Sequence, residues 1–343
     1  MAIRRTERAS IITVARVAGV SAATVSRAMN HPDLVNPRTR RKIEKAIRQT
    51  GYIRNRAAQA MYGRRSATLG LVVPTVNYSI FAELVQSFND AVAELGFTLL
   101  LATHNYDLQV EYSVIRKLLE HRVDGIALIG LDHGADTFRL FRSQKVPVLA
   151  AWSYAEKAPI PCIGSDMGEA GQLAARHVVA LGHRRIGLVF PPTAENDRAR
   201  RRRDAALQVL RSAGISCPDA WMAQSLYSIA HAKAACLDLL QHDHGLTALV
   251  CGNDVLAQGA ISAAMELGLR VPQDISIIGI GDFVGSADSF PALTTVRIPA
   301  QEIGACAGQS LVTMLADPAA DGPVQRRFPV SLVQRATTMP AGR

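Results

Sequence analysis

SIITVARVAGVSAATVSRAMN, residues 10–30, falls into two short apolar runs around a glycine. Ile12, Val14, Ala15, Val17 and Ala18 make the first run. Gly19 ends it where a turn needs a residue that takes positive φ without steric cost. Ser21 follows as an N-cap, its hydroxyl placed to accept an orphan amide of the next helix. In that helix Val25, Ala28 and Met29 fall at i, i+3 and i+4 and predict one buried stripe. Ala22, Ala23, Ser26, Arg27 and Asn30 fall on the other face. They are small, hydroxylated, amide-bearing or basic, which suits a helix laid against DNA. Helix, glycine turn and helix is the helix-turn-helix pattern, whose second helix enters a major groove. The alternative is a helical hairpin with an ordinary solvated face.

Charge decides between them. The chain has 343 residues and a net charge of +9. Residues 1–65 hold 15 Lys and Arg against 3 Asp and Glu, while the remainder holds 23 against 26. All the positive excess sits on the segment with the helix-turn-helix. That is the footprint of a phosphate-binding module joined to a near-neutral domain. A basic solvated tail would lack the apolar periodicity. Cys162, Cys217, Cys236, Cys251 and Cys306 are scattered, odd in number and without metal spacing, which fits a reducing compartment. The opening MAIRRTERAS has no apolar h-region, and no apolar run reaches spanning length. The expectation is a cytoplasmic protein with no membrane contact.

Asn36-Pro37 predicts a cap and first turn, with a third helix carrying Ile43, Ala46 and Ile47 on one face up to Gly51. The alanine-rich stretch 52–61 is too short for a stable helix by itself, and 63–66 reads as a linker. From Thr68 the texture becomes strand–helix alternation. Apolar strands are predicted at 69–73, 97–102, 126–129, 146–151, 186–190, 246–251 and 275–280. Helices are predicted at 81–95, 110–121, 168–181, 198–213, 229–241 and 255–267. Unbroken apolar strands alternating with helices imply parallel sheets covered on both faces. The pattern restarts near Pro159-Ile160-Pro161, so two α/β lobes with a cleft between them are expected. The fold class is thus α/β, with a small all-α headpiece. The boundaries are 10–64 for the headpiece and 68–343 for the core. Within the core the first lobe is mainly 68–161 and the second mainly 162–290, with C-terminal segments crossing back. Ligands of such sheets bind at the carboxyl ends of the strands, which makes the cleft the default small-molecule site.

At this point the chain resembles the LacI/GalR-type bacterial transcription regulators. The resemblance rests on six ordered blocks: VARVAGVSAATVSRAMN, YIRNRAAQAM, LGHRRIGLV, TALVCGNDVLAQGA, GLRVPQDISIIGIGD and PALTTVRIP. It implies a homodimeric repressor of carbohydrate or sugar-acid genes. Paired headpieces would bind a near-palindromic operator, and the core would resemble a periplasmic sugar-binding protein. A small effector in the cleft would set operator affinity.

The resemblance also implies roles. Ala22, Ala23 and Arg27 match base-reading positions, where arginine can donate to guanine acceptors. Ser10, Ser21, Thr24 and Asn30 match phosphate contacts, and Ser26 lies on the same face. Capping and plain helix surface are the alternatives for Thr24 and Asn30. Asn55, Arg56, Ala57, Ala58 and Met61 match a hinge helix, 55–61, that wedges an apolar side chain into the minor groove. Met61 stands where leucine is usual, Arg54 where proline is common and Thr13 where an acid is common. Arg202 matches a ligand-binding arginine, although it lies in the run Arg198 and Arg200 to Arg203, and such runs are usually solvated. Phe81, Trp152 and Tyr227 match cleft positions, with core packing as the alternative. Asn253 and Asp254 match a polar pair, with helix capping as the alternative. Gly281 stands where many members have a sugar-binding aspartate, leaving Asp282 as the nearby carboxylate. A cleft that keeps Arg202 and loses a carboxylate points to an anionic effector, of the sugar-acid kind.

An enzyme is disfavoured, since HExxH, GxSxG, P-loop and GxGxxG patterns are absent from suitable contexts. No cofactor or metal is expected, and His183 reads as structural. A transport-type binding protein would need an export signal and no headpiece. No leucine heptads follow Pro318 to build a tetramer.

Overall fold

The computed structural model describes residues 9–53, 65–77, 79–242, 245–316 and 325–342. The chain divides into two compact units, Met1–Arg64 and Arg65–Arg343.

In the first unit, helices α1 (Ile11–Ala18), α2 (Ala22–Asn30) and α3 (Pro37–Thr50) enclose a small core. Val14, Val25, Ile43 and Ala46 are its most buried members. Ser10 and Thr13 form a reciprocal capping box at α1, so Thr13 supplies the capping partner otherwise given by an acid. Gly19, at φ +66°, closes α1 in the left-handed conformation. The chain then bends by 102° into α2, within the range of helix-turn-helix units. Ser21 caps α2 and Asn36 caps α3, with Pro37 in its first turn. The stripe predicted on α2 is present: Val25 and Ala28 are buried and Met29 half-buried. Ile12 and Val17 of the first apolar run are exposed instead, because the eight-residue α1 has only one side to bury. The hinge residues Asn55, Arg56, Ala57, Ala58 and Met61 lie outside the described residues.

The second unit carries two six-stranded sheets. The first has the order β11-β5-β4-β3-β1-β2, built from β1 (Thr68–Val73), β2 (Thr98–Thr103), β3 (Gly125–Ile129), β4 (Val148–Ser153), β5 (Cys162–Ser165) and β11 (Arg326–Arg327). The second has the order β12-β10-β9-β8-β6-β7, from β6 (Ile186–Phe190), β7 (Met222–Gln224), β8 (Ala248–Cys251), β9 (Ser276–Gly281), β10 (Thr294–Arg297) and β12 (Ser331–Val333). All pairings are parallel except β10 with β12. Helices α4 (Ser79–Glu94), α5 (Leu108–Glu120), α6 (Ala135–Gln144) and α11 (Ala300–Ala316) flank the first sheet. Helices α7 (Met167–Ala180), α8 (Asp197–Ser212), α9 (Ile229–Gln241) and α10 (Asp254–Glu266) flank the second. Fully buried side chains such as Leu84, Phe88, Leu128 and Ile186 fill the layers, each contributing roughly 1.5–3 kcal/mol by leaving water.

The lobe boundary differs from the expectation at 161. Cys162–Ser165 pairs with β4, as Trp152 with Gly164, and so completes the first sheet. Thr294–Arg297 belongs to the second sheet, while α11 returns to the first lobe. The chain therefore crosses at 165–167, 297–300 and 327–331. The short strands β5, β10 and β12 lack enough apolar length to be read from sequence. His183 is structural: its ring meets the Thr247 and Ser276 hydroxyls at 2.9 and 3.1 Å and the Met339 carbonyl at 3.1 Å. Burial raises the Cys236 thiol to about 12, so it behaves as a small apolar side chain.

Candidate functional site

Two surfaces carry chemistry, one in each unit. On α2, Ala23 and Arg27 are exposed, opposite Val25 and Ala28. The other polar groups of this face have local partners. Ser21 Oγ accepts from the Thr24 amide at 3.1 Å and meets its hydroxyl at 2.8 Å. The Asn30 side chain donates to the Ser26 carbonyl at 2.8 Å and meets its hydroxyl at 3.2 Å. Capping and DNA contact are compatible here, since a hydroxyl oxygen accepts more than one bond. Ala22 and Ala23 carry no side-chain hydrogen-bonding group, and Arg27 is the exposed charged side chain of this helix.

In the second unit, the carboxyl ends of both sheets face one small cavity. Phe81, Tyr106 and Trp152 line it from the first lobe. Arg198, Arg202, Tyr227, Asn253, Ile280 and Phe283 line it from the second, with Ile298 on a crossing segment. Phe81 meets Trp152 edge to face at 5.9 Å, and Tyr106 stacks on Tyr227 at 5.4 Å across the lobes. Trp152 holds φ at +80°, a conformation that costs a bulky residue about 1–3 kcal/mol and that concentrates at binding sites. Five of the six predicted cleft residues are thus brought together: Phe81, Trp152, Arg202, Tyr227 and Asn253. Asn253 also caps α10 through the Leu256 amide at 2.9 Å, so both of its readings hold at once.

Asp282 is the exception and is corrected. Its carboxylate accepts from Arg297 Nε and from Arg335 Nη2, both at 2.7 Å, and it does not line the cavity. Two arginines from β10 and the C-terminal segment neutralise it, a pairing that no local pattern announces. Gly281 has φ +141°, and a Cβ there would overlap the Phe283 ring. The aromatic ring occupies the space where a side chain at 281 would stand, and no carboxylate faces the ligand from this strand end. Gly281→Asp is therefore expected to displace Phe283 and lower the melting temperature, rather than add a carboxylate to an intact cavity. A variant that melts like the wild type would contradict this.

The arginine run is not a solvated face. Arg198 and Arg202 are each 5% exposed. Arg198 Nη1 donates to the Ile129 carbonyl at 2.9 Å and to Asp197 at 3.2 Å. Arg202 has no such relief. Its Nη1 reaches only the Met167 sulfur, at 3.9 Å, and its Nε has no partner among the described residues. Burial lowers its pKa, and the Arg198 charge acts in the same direction. A guanidinium nevertheless stays charged, so the cavity wall holds a desolvated cation whose Nε has no partner among the described residues.

Tyr106, Arg198, Ile280, Phe283 and Ile298 were not anticipated. Tyr106 and Ile280 sit at strand ends, so the carboxyl-end rule held the signal for both. Arg198 was hidden in the arginine run, and Phe283 follows a glycine whose importance is conformational.

Comparison with known proteins places these surfaces. Residues 10–55 match the model for bacterial regulatory proteins of the lacI family, and residues 175–338 match a periplasmic binding protein-like domain. The HTH-type transcriptional repressor PurR of Klebsiella pneumoniae is 30% identical over 306 residues, 89% of either chain. The chain belongs to the LacI family. The HTH-type transcriptional regulator DegA of Bacillus subtilis is 31% identical over 304 residues, 87% of this chain and 89% of that one. The lac repressor dimer bound to operator and the anti-inducer ONPF is 27% identical, with a TM-score of 0.84 over 97% of this chain and 100% of that one. This LacI-family chain is a sequence-specific DNA-binding regulator of the repressor type with an effector-binding cleft, not an enzyme. Operator binding as a homodimer is typical of the family. No single helix among the described residues is long and apolar enough to cross a membrane.

His104 lies beside this cleft, behind Tyr106, and is 5% exposed. Burial above all, with help from Arg198, lowers its pKa from 6.5 to about 4, against the pull of Glu111. The unfolded chain takes up the proton near pH 6.5 and the folded chain does not. Stability is then expected to fall as pH drops from 6.5 towards 4, by on the order of 3 kcal/mol for this residue. Urea unfolding of wild type and His104→Gln across that range tests it; parallel curves would sink the expectation.

Proposed function

We propose that this regulator binds a sugar acid or similar polar anion in its cleft and that the anionic group pairs with Arg202. The observation that carries the reading is the buried Arg202 guanidinium, whose Nε has no partner among the described residues. A carboxylate or phosphate meets a guanidinium through a two-point fork. The glycine at 281 supports it, since a carboxylate there would repel such a ligand. The rings of Phe81, Trp152, Tyr106 and Tyr227 would cover the carbon faces of the ligand, and Asn253 would serve a hydroxyl. Calorimetric titration with gluconate-like acids and matched neutral sugars tests the reading; preference for a neutral sugar rejects it.

On the DNA side, Ala22, Ala23 and Arg27 would face bases, while Ser10, Ser21, Thr24, Ser26 and Asn30 would serve the backbone. Asn55, Arg56, Ala57, Ala58 and Met61 would form the minor-groove hinge. The partner is a near-palindromic operator bound by a homodimer, and the compartment is the cytoplasm. The strongly basic headpiece leads to an expected loss of about a thousandfold in affinity between about 50 and 200 mM salt. A salt-insensitive operator complex in a gel-shift or anisotropy titration would contradict the assignment.

A further inference from the structure

Beneath the first-lobe face of the cleft lies a buried acid between two histidines. Glu111, on α5, is 1% exposed. Its Oε2 meets His133 Nδ1 at 2.9 Å and lies 3.9 Å from His104 Nε2. His133 Nε2 faces the Gly130 carbonyl at 3.0 Å. Both ring nitrogens of His133 are therefore within hydrogen-bond distance of an oxygen, which fixes the orientation of the ring. Phe138 closes over this ring from α6 at 6.0 Å. Glu111 Oε1 and His104 Nδ1 have no partner among the described residues.

The segment braced by His133 is the loop 129–133, and its other side is the seat of the second lobe. The Ile129 carbonyl accepts from Arg198. The Leu131 amide donates to Asp197 Oδ2 at 3.3 Å, and the Ser153 hydroxyl donates to the same oxygen at 3.2 Å. Arg200 pairs with Asp132 at 2.7 Å. Gly130, at φ +93°, leaves room for Asp197 and Arg198, because a Cβ there would overlap the Arg198 guanidinium. The N-terminal turn of α8, which also carries Arg202, is thereby fastened to the first lobe.

We propose that the buried Glu111–His133 pair positions the loop 129–133 as the seat for Asp197 and Arg198, and so controls cleft closure and effector affinity without touching the cavity. The effector part rests on the reading of the cavity given above; the closure part does not. The charged and titratable groups around the pair are His104 after β2, Asp107 at the start of α5, Asp132 in the loop, and Asp197 and Arg198 from α8. His104 is held neutral by burial, and Glu111 meets His133 at hydrogen-bond distance within the first lobe. Asp197 is balanced by Arg198 across the seat. Removing the Glu111 carboxyl group altogether leaves His133 the Gly130 carbonyl as its remaining anchor in this pair.

The test is hydrogen exchange on the full chain, wild type against Glu111→Leu and His133→Phe, followed in peptides covering 129–133, 197–202 and the control strand Ala248–Cys251. Both variants are expected to speed exchange about tenfold in 129–133 and also in 197–202, on the opposite lobe, with the control strand unchanged; tenfold corresponds to about 1.4 kcal/mol of local opening. A purely structural role in the first lobe would speed 129–133 alone, and that result overturns the proposal, as does wild-type exchange at both segments. If Glu111→Leu does not fold, His133→Gln retains a donor towards Gly130 and is expected to give a smaller acceleration of the same two segments. Titration with gluconate forms the second arm, with affinity expected to fall about tenfold in Glu111→Leu. Coupled exchange in a protein whose wild type does not bind gluconate would uphold the seat and reject the sugar-acid reading. Unchanged gluconate affinity alongside coupled exchange overturns the claim that closure governs the effector.

Discussion

Arg202→Met yields a protein that is more stable when empty and deaf to its effector. The two effects share one cause. In the empty cleft the guanidinium is out of water without a carboxylate to meet it, and a buried charge lacking a partner is destabilising. Methionine fills similar volume with no charge to desolvate, so the ligand-free variant is expected to melt higher by an amount reflecting about 1–4 kcal/mol. The same guanidinium is the donor an anion would use. Each charge-assisted hydrogen bond contributes roughly 1.5–3 kcal/mol, so losing a two-point fork is expected to weaken an anionic effector by at least a hundredfold. Operator binding by the ligand-free variant should persist, since the helix-turn-helix lies in the other unit. Differential scanning calorimetry and isothermal titration read the two halves separately. A variant that melts lower and binds the acid as well as the wild type would return Arg202 to a structural role.

Asp254→Ala is the expected opposite, a large loss of stability at a residue that makes no ligand contact. Asp254 is fully buried at the start of α10. Its carboxylate accepts from the Phe283 amide at 2.8 Å, the Ser286 hydroxyl at 2.7 Å and the Thr295 hydroxyl. Burial raises its pKa while those three bonds pull it down. Truncation strands three buried donors on β10 and on the loop that carries Phe283, and breaking such a network typically costs about 3–5 kcal/mol. Because Phe283 is a cavity wall, effector affinity should fall along with stability. Urea denaturation that places Asp254→Ala within about 1 kcal/mol of wild type would show the network to be dispensable.

The contrast between these residues shows what kind of information each carries. Arg202 was legible through the family resemblance, as a match to a ligand-binding arginine, and Asp254 by its place beside a capping asparagine. Neither reading contained the partner set, because Ser286, Thr295 and Met167 come from distant segments.

The sequence by itself determined the headpiece, down to its caps at Ser21 and Asn36, because those are contacts within four residues. It likewise determined the alternation of the long strands and helices, since periodicity is a local property. Tertiary structure decided the rest. It assigned the four-residue strand Cys162–Ser165 to the first sheet by pairing it with β4. It turned Asp282 away from the cleft because Arg297 and Arg335 converge on it from β10 and the C-terminal segment. It buried Arg198 and Arg202 within a run that composition alone would leave in solvent, and loop 129–133 offers Arg198 a carbonyl and Arg200 an aspartate. Charges are placed by whichever opposite groups the fold brings within a few ångströms, and no window of sequence contains those distances.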